Sequence, residues 1–247
     1  MTLVLQPHER ILCALDTNDL NAAKATVRSL APNGKPLIGG VKLGLEFFCS
    51  LGPPAVNHIR ALGLPLFLDL KFHDIPNTVA GAVRSAMSVA PTFLTIHASG
   101  GRTMIAAAAD AAKQGAEAQG VKPPILLAVT VLTSLDADDL SSVGQDRSVA
   151  DQVRRLGELA VQSGANGLVC APFEVKFLRE ALGDDVVLVV PGVRPEWSAK
   201  NDQKRVMTPA QAIDAGADYL VIGRPITASP DPVEAAGKIV AEIEAGV

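Results

Sequence analysis

The sequence predicts an α/β fold, a closed (β/α)8 TIM barrel forming one domain over residues 1–247, and two observations carry that prediction. Eight short apolar runs alternate with eight Ala-rich segments of helical spacing within 247 residues, and about 250 residues is the usual size of eight such units. The first run leads into Asp16-Thr17-Asn18-Asp19 rather than a glycine-rich turn, and no GxxxxGK[ST] segment occurs. Both absences count against the rival, an open doubly wound sheet that cradles a dinucleotide or nucleotide phosphate.

In chain order the expected strands are 11–16, 37–44, 64–72, 93–100, 125–132, 167–171, 186–193 and 219–226. Most are continuously apolar rather than alternating, which suits strands covered on both faces. The expected helices are 20–30, 53–62, 78–89, 103–119, 149–162, 173–182, 209–215 and 232–244. Asp19 precedes the first and Asp231-Pro232 opens the last, both good start signals. Gly63, Gly120, Gly164 and Gly183 follow four of the others, where a helix terminates most easily in a left-handed residue. Two connections, 133–148 after the fifth strand and 194–208 after the seventh, are longer and more polar than the rest. Loops that follow barrel strands lie on the catalytic face, so these two are candidate lids.

Composition narrows the function classes. Hydrophobic residues are 48% and charged residues 19%, which excludes a disordered chain. A net charge of -4 argues against a dedicated nucleic-acid binder. Cys13, Cys49 and Cys170 have no metal-ligand spacing and read as reduced thiols of a cytosolic protein. No apolar run approaches the ~18 residues of a membrane span, and residues 1–10 lack an apolar signal core. The expectation is a cytoplasmic enzyme without membrane or nucleic-acid partners. No HExxH, CxxC or compact His/carboxylate group occurs, so the expected chemistry uses no metal and no cofactor.

The third strand ends Leu68-Asp69-Leu70-Lys71-Phe72-His73-Asp74. Asp69 and Lys71 are two apart and share a strand face, while Leu68, Leu70 and Phe72 face the helices. Buried charges are costly unless paired, and charged strand ends of a barrel usually serve chemistry. Asp16 at the first strand end and Lys42 in the second extend this to an alternating set of carboxylates and ammoniums around one mouth. His97 closes the fourth strand and reads more readily as a hydrogen-bonded structural residue. Near the C-terminus, Ile222-Gly223-Arg224-Pro225 follows the eighth strand, where barrels commonly bind phosphate. Arg224 can grip two oxygens, Gly223 leaves room for an anion, and Arg194 and Gln203 can close over it. The expected substrate is a small phosphorylated molecule whose reacting end meets the Lys–Asp array.

Several segments, in order, are ALD at 14–16, VKLG at 41–44, DLKFHDIPNT at 69–78, HASGG at 97–101, VTVLTS at 129–134, PGVRP at 191–195, DQKR at 202–205 and VIGRPIT at 221–227. On these the chain resembles the orotidine 5′-phosphate decarboxylase family in its bacterial form, over nearly its whole length and without departure at these positions. The resemblance implies that Lys71 donates a proton to C6 of the pyrimidine and that Asp69 and Asp74 are its carboxylate partners, with Lys42 completing the network. It places Asp16 and Lys42 on the ribose hydroxyls, Thr133 beside Ser134 at the pyrimidine, Gln203 between base and phosphate, and Arg194, Gly223 and Arg224 on the phosphate. It counts Ile75, Pro76 and Asn77 among the substrate-binding residues, and it puts Asp74 and Thr78 in a neighbouring subunit's site, hence a homodimer with shared active sites. The alternatives are a metal-dependent phosphosugar decarboxylase or aldol-type synthase, a Schiff-base aldolase, and a non-catalytic phosphate-binding barrel. The first needs an acidic ligand where the second strand carries Lys42, and the second needs a lysine less charged than one flanked by aspartates.

Overall fold

The computed structural model describes residues 5–198 and 207–246. Its eight parallel strands are β1 (Ile11–Ala14), β2 (Gly40–Leu43), β3 (Leu66–Phe72), β4 (Phe93–His97), β5 (Ile125–Val129), β6 (Gly167–Val169), β7 (Val187–Pro191) and β8 (Tyr219–Ile222). They pair in sequence order, and β8 pairs with β1, so the sheet closes into the expected barrel. The helices are α1 (Leu20–Leu30), α2 (Leu45–Arg60), α3 (Pro76–Ala86), α4 (Gly101–Gln119), α5 (Ala137–Ser142), α6 (Val149–Gln162), α7 (Val175–Leu182), α8 (Pro209–Asp214), α9 (Arg224–Thr227) and α10 (Pro232–Ala245).

Strand parity explains the continuous apolar runs. Leu12, Phe67, Phe93, Leu127, Val187, Val189, Tyr219 and Val221 form a core inside the barrel. The rings of Phe93 and Tyr219 meet edge to face at 5.0 Å there, a favoured aromatic geometry. The alternate residues, such as Cys13, Leu66, Leu68 and Leu188, join a second core between strands and helices. With Phe67 inside and Leu68 outside, Asp69 must face inward.

Local signals act as expected at the helix ends. Asp19 Oδ1 accepts the Asn21 and Ala22 N–H groups, and Asp231 Oδ1 accepts those of Val233 and Glu234. Gly63, Gly120, Gly164 and Gly183 all have positive φ, the conformation that glycine adopts without a Cβ clash. At the barrel's N-terminal end, Arg179 donates to the carbonyls of Gly183, Val186 and Gly216 and pairs with Asp218 at 2.9 Å. This charge ties α7 to the start of β7 and β8, far from the opposite mouth.

Several boundaries differ from expectation, and the clearest differences have physical reasons. The second helix begins at Leu45, not at residue 53. It breaks at Gly52, φ 68°, and resumes on Pro53 and Pro54, so Gly-Pro-Pro marks a kink rather than a start. The eighth strand stops at Ile222, and residues 224–227 turn into α9, with Pro225 in its first turn. The expected fifth, sixth and seventh strands overrun the observed ones at their C-terminal ends. The overrun is apolar because Val131, Leu132 and Cys170 line a cavity and Val193 joins the core between strands and helices.

Candidate active site

The C-terminal ends of the strands surround a cavity of about 380 Å³, a size typical of small-molecule sites. Asp16 reaches it from just beyond β1, Lys42 from β2, Asp69 and Lys71 from β3, Thr133 from the loop after β5, Arg194 from the loop after β7, and Gly223 and Arg224 from the end of β8.

The four charges form one chain. Lys71 Nζ lies 2.8 Å from both Asp69 oxygens. Lys42 Nζ lies 3.7 Å from Asp69 Oδ2 and 3.0 Å from Asp16 Oδ1. The Lys42 and Asp69 side chains are only 11% and 12% exposed, so water solvates them poorly and each depends largely on opposite charge. Asp16, at the rim, is mostly exposed. Glycine at 44 is part of this packing: a Cβ there would stand 2.9 Å from Lys42 Nζ, too close unless the ammonium moves.

Across the cavity, Arg194 and Arg224 stand together, and among the described residues neither has a carboxylate partner within ion-pair distance. Burial, and then the neighbouring Arg224 charge, lowers the Arg194 guanidinium from its ordinary value. Two cations forced into company bind an anion well, since it relieves their repulsion. At Gly223 a Cβ would make only ordinary contacts with Ala14 and Asp16, so protein packing leaves that position free and its openness serves the cavity. The wall between the two charged ends is apolar, built from Val129, Val131, Leu132, Val169 and Val221. A molecule that fits carries an anion at one end, a flat or apolar middle, and a group that answers to ammonium and carboxylate at the other.

The sequence model of the orotidine 5′-phosphate decarboxylase / HUMPS family matches residues 9–239. The chain belongs to this family. It is 53% identical to the orotidine 5′-phosphate decarboxylase of Paramagnetospirillum magneticum over 233 residues, covering 94% of this chain and 97% of that protein. Against that of Rhodospirillum rubrum it is 52% identical over 244 residues, 98% of this chain and 97% of the relative. The crystal structure of orotidine 5′-phosphate decarboxylase from Lactobacillus acidophilus superposes with a TM-score of 0.83 at 37% identity, covering 94% of this chain and 98% of that one.

In this member of the orotidine 5′-phosphate decarboxylase / HUMPS family, not every residue singled out from sequence gathers at the cavity. Asp74, Ile75, Asn77 and Thr78 are exposed, and Pro76 is half-buried where α3 begins. Asp74 Oδ1 accepts the Ile75 N–H at 2.6 Å, and this segment does not line its own chain's cavity. Gln203 lies outside the described residues. His97 also stays out of the cavity lining. Its ring lies 5.4 Å from that of His73, and burial, followed by the His73 and Lys71 charges, lowers its basicity. Gly44 entered the sequence analysis only as the end of the second expected strand and of the VKLG segment, and Thr95 was passed over. The signal for Thr95 was a hydroxyl at an inward position of an otherwise apolar strand.

Proposed function

We propose that this enzyme decarboxylates orotidine 5′-phosphate to uridine 5′-phosphate and CO2 in de novo pyrimidine biosynthesis, and that Lys71 is its proton donor. The observation that carries the reading is the Lys71 ammonium held on both oxygens of Asp69, in one cavity with the Arg194–Arg224 pair. The C6–carboxylate bond breaks, its electron pair stays on C6, and a proton passes from Lys71 Nζ to that carbon. The fixed ammonium stabilises the developing carbanion more than the neutral ring carbon it starts from, which is what lowers a barrier. Asp69 aims Lys71 and sits beside the leaving carboxylate. Asp16 and Lys42 take the ribose hydroxyls, Thr133 the pyrimidine edge, Gln203 the link between base and phosphate, and Arg194, Gly223 and Arg224 the phosphate.

Lys42 places a cation where metal-stabilised enediolate chemistry needs an acidic ligand, which favours the decarboxylase over that rival. An ammonium gripped by a carboxylate is also a better acid than nucleophile, which disfavours a Schiff base. The reading includes a single-domain cytoplasmic homodimer in which Asp74, Ile75, Pro76, Asn77 and Thr78 enter the neighbouring subunit's site. Exposed Leu45, Ile75, Leu135 and Phe173 all follow C-terminal strand ends, the side of the barrel on which such a contact would form.

The phosphate assignment is open to test by comparing orotidine 5′-phosphate with orotidine. The wild-type protein should strongly prefer the phosphorylated substrate in kcat/KM. Arg224→Ala should erode that preference by about 1.5–3 kcal/mol, the worth of a charge-assisted contact, while the phosphate-free substrate changes little. Equal losses on both substrates would remove Arg224 from the phosphate.

A further inference from the structure

We infer that Thr95 is the positioning residue of the proton donor, its hydroxyl fixing Lys71 at both ends; this rests on the decarboxylase reading for its catalytic consequence. Thr95 lies on β4, facing the barrel interior, and is fully buried. A hydroxyl there must find partners inside the protein. The pairing of β3 with β4 runs regularly to Leu68↔Leu94 and resumes at Phe72↔Ile96. Residues 69–71 therefore stand against Thr95 alone, so β3 bulges at the two residues that carry the chemistry. Within the bulge Lys71 adopts φ 50°, a left-handed conformation that a lysine holds only when its surroundings impose it.

Thr95 supplies that constraint. Its Oγ1 accepts the Lys71 backbone N–H at 2.9 Å and donates to Asp69 Oδ1 at 2.9 Å. The polarity is fixed by proton count: an amide can only donate, so the single hydroxyl proton is free for the carboxylate. Asp69 in turn holds the Lys71 ammonium. One hydroxyl thus anchors the backbone of the donor residue and the carboxylate that aims its side chain, closing a loop from Lys71 N to Lys71 Nζ.

Thr95→Val keeps the shape and removes the hydroxyl, whereas Thr95→Ser keeps the hydroxyl. Thr95→Val should lower kcat on orotidine 5′-phosphate about tenfold or more, the scale of a hydrogen bond to a charged group. KM and affinity for uridine 5′-phosphate should stay within about threefold, and Thr95→Ser should recover most of the loss. An unchanged kcat, binding that falls in step with kcat, or a serine variant as slow as the valine variant overturns the proposal. Crystal structures of the three proteins read the geometry without any turnover. The expected result is Lys71 Nζ displaced from Asp69 in Thr95→Val and retained in Thr95→Ser. An undisplaced Nζ in Thr95→Val overturns the positioning role, and a displaced one upholds it, even if the wild-type protein were found to decarboxylate nothing.

Discussion

Lys71→Ala should reduce decarboxylation of orotidine 5′-phosphate by about 10⁴-fold or more, because it removes two contributions at once. Proton donation by a placed side chain contributes about 10²–10⁴-fold, and a preorganised charge at the developing carbanion contributes on a similar scale. The same variant should bind uridine 5′-phosphate within about tenfold of the wild type, since the phosphate and apolar contacts lie elsewhere in the cavity. The backbone offers a control. Lysine at φ 50° carries about 1–2 kcal/mol of left-handed strain that alanine shares and glycine does not. Lys71→Gly should therefore be as inactive as Lys71→Ala while unfolding at the same or a higher temperature. Near-normal turnover in either variant, measured as uridine 5′-phosphate formed per enzyme, would falsify the assignment of the donor.

The second large effect concerns assembly. Asp74→Ala alone should be nearly inactive, although Asp74 is exposed and outside its own chain's cavity. Mixing inactive Lys71→Ala chains with inactive Asp74→Ala chains should restore activity once subunits exchange. In a mixed dimer with shared sites, one site collects both defects and the other collects neither. Random equal pairing makes about half of the dimers mixed, so roughly a quarter of wild-type activity should return. No recovery, with exchange confirmed by native mass spectrometry, means that Asp74 serves its own chain and that the sites are not shared.

Much of this was legible in the sequence because barrel strands are buried on both faces. Runs such as ILCA at 11–14 and VLVV at 187–190 have no polar side and announce themselves. The same property blurred their ends, since Val131 and Leu132 continue the apolar run as cavity lining after the strand has stopped. Asp69 and Lys71 stood out because charge in an apolar strand is anomalous, and alternation placed both on the inner side. The bulge that sets their geometry was hidden. It arises from a register shift against β4, and no local signal in β3 reports what its neighbour does. Thr95 was masked by the same non-locality, its two partners being 24 and 26 residues away. Gly44 closed an expected strand, and only the position of Lys42 Nζ showed that a Cβ there would displace the ammonium. Asp74 to Thr78 illustrate the opposite case. Motif resemblance assigned them to a neighbouring subunit's site, and in this chain they lie outside the cavity lining.

The most direct measurement is turnover of orotidine 5′-phosphate by the purified chain after exhaustive chelation. Uridine 5′-phosphate is followed by absorbance and CO2 by trapping. Full activity is expected, with one CO2 released per uridine 5′-phosphate formed, because the proposed step draws its charges from Lys71, Asp69, Lys42 and a neighbouring subunit's Asp74 rather than from a metal. Absence of turnover in the untreated protein, or activity lost on chelation and recovered with Mg²⁺ or Zn²⁺, would contradict it.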